Sequence, residues 1–274
     1  MENNIKFFEL KGALPGKKVV LLAGVHGNEV CGVRAFDEFI PQLKIDSGSA
    51  LFIFANLEAI KQNKRFVEYN LNRCFLKEQP PAIQSALEGR IAREIAPYLE
   101  SADALLDIHA SPIPESPPFA ICDEKWIKDC SMFDVDIASF NWDPFEPGST
   151  DYYMNLQKKP GFCVECGCLN DEKSIKIAKS AIERFLIWTG NLSGKIAIKE
   201  NQKVVKITGL YKNKFAHFRK SREFKDFEQL KEKTLIGKEG LREIYGEQGQ
   251  IVLFVRDCDS LNEECFLTAQ DCIL

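Results

Sequence analysis

Hydrophobic residues follow two different spacings in the first two-thirds of the chain. Short apolar runs bounded by turn residues predict buried strands: KVVLLAGV (18–25), LFIFAN (51–56), ALLDIH (104–109), FAIC (119–122) and GFCVEC (161–166). Longer segments show helical spacing: EVCGVRAFDEFIPQL (29–43), AIQSALEGRIAREIAPYL (82–99) and DEKSIKIAKSAIERFLIW (171–188). This alternation predicts an α/β fold, with a mostly parallel mixed sheet and helices on both faces.

The pattern changes after residue 195. Short runs broken by glycine, asparagine and charged residues replace the helices: QKVVKITGLY (202–211), TLIGKE (234–239), GQIVLFVR (249–256) and ECFLTAQ (264–270). We therefore predict a main domain over residues 1–195 and a small β-rich domain over residues 196–274. The Lys- and Arg-rich segment at residues 212–225 is interpreted as a solvated surface, with a polyanion patch as the alternative.

Charge and cysteine content narrow the class of protein. The chain has 36 Lys and Arg against 40 Asp and Glu, which argues against a nucleic-acid partner. No apolar run is long enough to cross a membrane, and no export signal accompanies the ten cysteines. We expect a cytoplasmic protein with reduced thiols. CVECGC (163–168) is interpreted as a buried strand, with a metal or redox role as the alternative.

Two of the three histidines end predicted strands. His26 follows KVVLLAGV, three residues before Glu29, and His109 ends ALLDIH. Ligands of an open α/β sheet bind beyond the carboxyl ends of its strands, so we expect these side chains to converge there. Two imidazoles and one carboxylate form a recurrent ligand set of hydrolytic zinc sites. The alternative is that these histidines are structural residues that only make hydrogen bonds.

The segment NKRFVEYNLNRCF (63–75) places Arg65, Asn72 and Arg73 in a short loop after a predicted strand. Guanidinium groups offer a planar fork of donors, and such a set suits recognition of a carboxylate. A solvated surface loop is the alternative.

Glu165 stands in the middle of an apolar strand. Burial there would raise its pKa towards the range of a general base, unless the strand lies at an exposed edge. A second loop, NWDPFEPGSTDYY (141–153), contains Tyr152, which we expect to add a substrate contact.

Four motifs together resemble the succinylglutamate desuccinylase/aspartoacylase family of carboxypeptidase A-like zinc hydrolases. They are GVHGNE (24–29), RFVEYNLNR (65–73), DIH (107–109) and VECG (164–167). The resemblance covers residues 20–170, and the C-terminal part resembles the small β domain of the desuccinylase branch. It implies a zinc hydrolase catalytic domain over residues 1–195, with residues 196–274 capping the active site. The implied function is cleavage of an amide bond in a small carboxylate-bearing substrate, with one zinc per chain.

The resemblance also implies a role for individual residues by matching position. His26, Glu29 and His109 would bind zinc; Arg65 would polarise the scissile carbonyl; Asn72 and Arg73 would bind the substrate carboxylate; Glu165 would be the general base. The family usually has Asp where this chain has Asn70, and that Asp orients the first zinc-binding histidine. Asn70 can accept the same hydrogen bond without a charge, so we expect weaker zinc binding than in relatives.

The substrate implied is a small N-acyl amino acid or a short peptide. Two alternatives remain open: a zinc carboxypeptidase that acts on short peptides, and a binding protein without catalysis on the same scaffold. The sequence does not indicate the oligomeric state or the acyl group.

Overall fold

The structure is a computed structural model that describes residues 4–169 and 171–272. The strands in this part of the chain are β1 (Lys6–Lys11), β2 (Leu14–Ala23), β3 (Ser47–Phe54), β4 (Ala104–Ser111), β5 (Phe119–Cys122), β6 (Ile137–Phe140), β7 (Gly161–Cys168), β8 (Lys203–Lys212), β9 (Phe218–Lys220), β10 (Glu228–Gln229), β11 (Thr234–Glu239), β12 (Arg242–Gly246), β13 (Ile251–Leu253) and β14 (Glu264–Cys272). The α-helices are α1 (Val30–Phe39), α2 (Leu57–Gln62), α3 (Pro81–Ser85), α4 (Leu87–Ser101), α5 (Thr150–Leu156) and α6 (Glu172–Thr189). The described residues also form three 3₁₀ helices: Ile40–Gln42, Leu71–Arg73 and Glu124–Met132.

One large mixed sheet forms the centre of the molecule. Its strand order is β1-β3-β2-β4-β7-β5-β6-β8-β14-β13-β10. The strands β3, β2, β4 and β7 are parallel to one another, and β5 runs antiparallel to β7. The predicted α/β class, with a mostly parallel mixed sheet and helices, is confirmed.

The two faces of the sheet carry different helices, as the continuous apolar runs predict. Val19, Leu21 and Ala23 of β2 belong to the core that includes α1 and α6. Val20 and Leu22 point to the opposite core, which includes α4. A strand covered on both faces must be apolar at every position, which explains the run KVVLLA. None of the helices that the structure describes has both the length and the apolar character to span a membrane.

The strands after residue 195 continue the same sheet. Strand β8 pairs in parallel with β6 and antiparallel with β14, and β13 and β10 follow. Strands β9, β11 and β12 form a separate antiparallel sheet. The region is rich in strands, as its pattern indicates, yet it shares a backbone ladder with the first part of the chain. The division into two domains at residue 195 stays a prediction.

Several elements differ from the sequence expectations. Strand β1 is an exposed edge strand, so it lacks the apolar run that marks a buried one. Helices α2 and α5 are short, and each begins at a capping side chain, Asn56 or Ser149. The single helix expected over residues 82–99 is two helices, because the backbone of Ala86 is extended (φ −67°, ψ 154°).

The basic segment at residues 212–225 is matched by carboxylates. Arg219 pairs with Asp259, and Arg222 lies 2.6 Å from Glu228. This pairing favours the interpretation as a solvated surface over a polyanion patch.

All ten cysteines are free thiols. Side chains alternate along β7, so Cys166 packs in the core with α1 and α6 while Cys163 faces the other side. CVECGC is therefore a strand, and only part of it faces the cavity described below.

We expect Phe36→Ala to lower the free energy of unfolding by about 3–5 kcal/mol, since it removes a fully buried ring. Phe36 is 0% exposed and packs edge-to-face on Phe52 and Phe54, at ring distances of 5.1 and 5.4 Å. Chemical denaturation measures the loss. Phe7→Ala is the control, because Phe7 is exposed in the edge strand. Equal losses in the two variants would contradict this description of the core.

Candidate active site

Three of the predicted site residues lie on or directly after three neighbouring parallel strands. Strand β2 is followed by His26, β4 carries His109, and β7 carries Glu165. His109 and Glu165 are partners in the β4–β7 register. The carboxyl ends of parallel strands meet at one edge of a sheet, so these side chains are brought together although they are far apart in sequence.

Two glycines shape the turn that carries His26 and Glu29. Gly24 has a positive φ of 71°, which a side chain would disfavour. A Cβ added to Gly27 would lie 2.1 Å from the backbone carbon of Ala59, so only glycine fits against α2. The turn therefore passes close to α2 and delivers Glu29 at the start of α1.

The side chains of His26, Glu29 and His109 form a buried triad. Their candidate ligand atoms all lie within 4.8 Å of one another. Nδ1 of His26 is 2.7 Å from Oε1 of Glu29, and Nδ1 of His109 is 2.8 Å from Oε2. His26 Nδ1 is nevertheless a buried atom without a hydrogen-bond partner. Close, buried nitrogen and oxygen donors with an unsatisfied lone pair fit a divalent cation such as zinc.

A second layer of side chains orients the two imidazoles. Oδ1 of Asn70 lies 3.0 Å from Nε2 of His26, so the amide oxygen accepts the Nε2 proton and leaves Nδ1 free. Oδ2 of Asp107 lies 3.0 Å from Nε2 of His109, close enough for a charge interaction but without hydrogen-bond geometry. Sequence reasoning missed Asp107, although its place two residues before His109 on a strand puts both on the same face.

The residues of the triad and their charged neighbours shift one another's pKa values. Burial, and then the Arg65 charge, lowers the pKa of His26 to about 4. Burial alone would raise the pKa of Glu29, but His26 and His109 hold it well below its usual range. Burial opposes protonation of His109, yet Asp107 raises its pKa well above the usual value. A metal ion bound by His109 would compete with the proton for the imidazole.

Glu165 lies beside the triad. Strand β7 runs between β4 and β5, so Glu165 is not on an edge strand. Its Oε2 atom is buried and has no hydrogen-bond partner. Burial, and then the neighbouring Glu29 charge, raises the pKa of Glu165 to about 8. Cys163 lies near His109 and Glu165, so this part of CVECGC faces the site.

Arg65 contacts the triad directly. Its Nη1 atom lies 2.8 Å from Oε1 of Glu29. Its carbonyl oxygen accepts a hydrogen bond from the Gly27 N–H at 3.2 Å. Side chain and backbone therefore both anchor Arg65 to the turn that carries His26.

A buried carboxylate, Glu88 of α4, organises the loop between Arg65 and Asn70. Glu88 accepts hydrogen bonds from the backbone N–H groups of Val67, Glu68 and Tyr69, at distances from 2.7 to 3.4 Å. The Nδ2 group of Asn56 donates to it at 3.2 Å. In return, Glu68 accepts a hydrogen bond from the first N–H of α4. Sequence reasoning missed Glu88, which looks like an ordinary polar position of an amphipathic helix.

Arg73 lines the cavity but already has partners. Its guanidinium pairs with Glu146, and its Nη2 atom lies 3.5 Å from Glu264. Its Nε atom is buried and has no hydrogen-bond partner. Asn72 accepts a hydrogen bond from the Thr150 N–H at 3.1 Å.

Tyr152 is placed differently from the sequence expectation. It lies in α5 and is not among the residues that line the cavity, whereas its neighbour Asp151 is. Successive residues of a helix point about 100° apart, so Tyr152 and Asp151 face different directions. A substrate contact of Tyr152 stays a prediction.

These side chains surround one cavity with about 910 Å³ of space free of protein atoms, part of it open to solvent. Seven predicted residues line it: His26, Glu29, Arg65, Asn72, Arg73, His109 and Glu165. Asn70 does not line it and contacts His26 instead. Strands from both halves of the chain contribute to the wall.

A family model described as the succinylglutamate desuccinylase/aspartoacylase catalytic domain matches residues 15–187. The chain belongs to this family. It is 33% identical over 103 residues to a probable aspartoacylase of Nostoc sp., covering 34% of this chain and 35% of that protein. It is 33% identical over 97 residues to a succinylglutamate desuccinylase of Idiomarina loihiensis, covering 34% of this chain and 28% of that one. The matched segments thus span about a third of these curated relatives.

Solved structures of the family share the fold over nearly the whole chain. The succinylglutamate desuccinylase of Vibrio cholerae superposes with a TM-score of 0.82 at 15% identity, covering 97% of this chain and 85% of that chain. The product-bound ectoine utilization protein EutE (DoeB) of Ruegeria pomeroyi gives a TM-score of 0.72 at 18% identity, with 97% and 88% covered. The family predicted from the four motifs is confirmed.

We expect Glu88→Gln to loosen the loop between Arg65 and Asn70, because an amide nitrogen would face backbone N–H donors. Leaving buried donors unpaired costs about 1–3 kcal/mol each. Hydrogen exchange at the amides of residues 67–69 should become faster, with Glu94→Gln on the exposed side of α4 as the matched control. Unchanged protection of these amides would show that Glu88 does not hold the loop.

Proposed function

We propose that this protein is a zinc-dependent deacylase that hydrolyses the amide bond of an N-acyl amino acid. Membership of the family supports a deacylase-type amide hydrolase. The observation that carries the proposal is the convergence of the buried triad His26, Glu29 and His109 with Glu165 and Arg65 in one cavity. A hydrolytic zinc site needs such a set: three protein ligands, an open position and a base.

The triad would hold the metal, which would act as a Lewis acid on the scissile carbonyl and on the attacking water. Glu165 offers an unpaired carboxylate oxygen beside the triad, and its surroundings favour proton uptake. It would take the proton from the attacking water and pass it to the nitrogen of the leaving amine.

Arg65 would stabilise the negative charge that develops on the carbonyl oxygen. Its guanidinium is fixed by Glu29, so it needs little reorganisation when that charge appears. The carbonyl oxygen of a bound substrate would then have to lie within reach of both Arg65 and the triad.

Asn72 and Arg73 are the proposed anchors of the substrate carboxylate. Asn72 and Arg73 both line the cavity. A short peptide with a free carboxylate could use the same anchors, so a substrate screen must include dipeptides.

We expect the purified protein to bind about one zinc ion per chain, and a chelator to abolish amide hydrolysis until zinc is restored. His109→Ala should lose the metal, because it removes one of three ligands. His217→Ala, at the exposed third histidine, is the control and should retain it. Metal analysis and an amine-release assay measure the two effects. Full hydrolysis without any bound metal would refute the zinc proposal.

We expect Glu165→Gln to keep the metal and to lower turnover by about 10²–10⁴-fold, the usual contribution of a general base. Glu94→Gln is the control for a neutralised carboxylate away from the cavity. Turnover and zinc content are measured on the same preparations. Unchanged turnover would remove Glu165 from the mechanism.

We expect Asn70→Asp to tighten zinc binding by about 10–100-fold, because a charged acceptor makes His26 a better ligand. The measurement is zinc affinity by competition with a metal indicator. Equal affinity in the two proteins would mean that the charge at position 70 does not matter.

A further inference from the structure

The cavity has an apolar wall on the side formed mainly by the C-terminal strands. We define the apolar wall as Ile121, Trp142, Leu210, Phe254, Phe266 and Leu267. None of these side chains offers a charged group, and Trp142 already donates its indole N–H to Ser139 at 3.0 Å. A substrate group that meets this wall gains by burying apolar surface.

Phe254 is held in this wall against its local backbone preference. Its φ is 54°, a region that non-glycine residues rarely adopt. Its N–H donates to Oδ1 of the buried Asp226 at 2.7 Å. Asp226 also accepts hydrogen bonds from Ser111 at 3.2 Å and Ser116 at 2.6 Å.

The hydrogen bonds of Asp226 connect the apolar wall to β4, the strand that carries His109. Ser111 is two residues after the triad member His109. Phe254 lies 6.3 Å from the ring of Trp142, measured between ring centres. A strained residue fixed by buried hydrogen bonds next to a site points to a function at that site.

The charged residues of the cavity are poorly suited to a substrate with several carboxylates. Besides the triad member Glu29, the lining contains four carboxylates: Glu146, Asp151, Glu165 and Glu264. Its three guanidiniums belong to Arg65, Arg73 and Arg256. Arg65 is paired with Glu29, and Arg73 with Glu146 and Glu264.

Each substrate carboxylate buried here needs a cationic partner of its own. Arg256 is an exposed residue of the lining, and the guanidinium of Arg73 is already shared with Glu146 and Glu264. These groups suit one carboxylate. A second or third carboxylate would lie against the apolar wall or the cavity's own acidic groups.

We propose that the substrate is a monocarboxylate N-acyl amino acid whose remaining part is apolar and packs on Trp142 and Phe254. This inference rests on the proposed deacylase function and specifies its substrate class. It excludes dicarboxylate or tricarboxylate substrates as the preferred class for this chain.

Pairs of substrates with similar shape and different charge test the inference. N-acetyl-L-leucine is compared with N-acetyl-L-aspartate. An N-pentanoyl amino acid is compared with the N-succinyl derivative of the same amino acid. We expect kcat/KM of the zinc enzyme to favour the apolar member of both pairs by about tenfold or more, as expected when a buried carboxylate lacks a partner. A preference for the charged member in either pair, or equal values in both, would overturn the inference and leave the deacylase proposal intact.

Two variants assign the preference to the proposed residues. We call the kcat/KM of the apolar member divided by that of the charged member the apolar-to-charged ratio. Phe254→Ala should reduce this ratio by about tenfold, because the bound group loses its contact with the ring. Glu264→Gln should also reduce the ratio, because it removes a negative charge and releases Arg73. Leu241→Ala, at a side chain that is 101% exposed, is the control and should leave the ratio unchanged. Unchanged ratios in both cavity variants would overturn the assignment.

Binding measurements test the substrate class independently of the proposed hydrolysis. If the zinc-loaded protein hydrolyses no member of either pair, the deacylase proposal fails. Calorimetric binding of the same pairs then decides the substrate class. Tighter binding of the apolar members supports the inference, and tighter or equal binding of the charged members overturns it.

Discussion

The fully buried carboxylate of Glu29 is the point on which the site depends. Removing such a charge from water costs several kcal/mol unless partners surround it. His26, His109, Arg65 and the backbone N–H of Ala110 all lie within about 3.1 Å of its oxygens. These groups come from the turn after β2, from β4 and from the loop after α2. The same interaction therefore assembles the site and constrains how three distant segments pack.

The sequence could predict that His26 and His109 converge, because their convergence depends on a simple geometric rule. Parallel strands end at one edge of a sheet, so the polar residues that end apolar runs must meet there. His26 and His109 could be found in this way without knowing the strand order. The proposed general base was predictable for a related reason, since Glu165 interrupts an otherwise apolar strand.

The supporting contacts could not be predicted, because they join residues whose burial depends on the tertiary fold. Glu88 occupies an ordinary polar position of an amphipathic helix, and its role appears only when the loop at residues 67–69 is packed over it. Arg73 pairs with Glu264, which is separated from it by 191 residues. Whether Tyr152 or its neighbour Asp151 faces the cavity depends on how α5 packs, which the sequence does not indicate.

The strand ladder that crosses residue 195 limits how the cavity can admit its ligand. Strand β8 is hydrogen-bonded to β6 on one side and to β14 on the other, and Leu210, Phe266 and Leu267 of these strands form part of the cavity wall. A hinge that swung this wall outward would break several backbone hydrogen bonds at once. This wall of the cavity is therefore fixed by the sheet itself. A ligand would have to match a shape that is set when the chain folds.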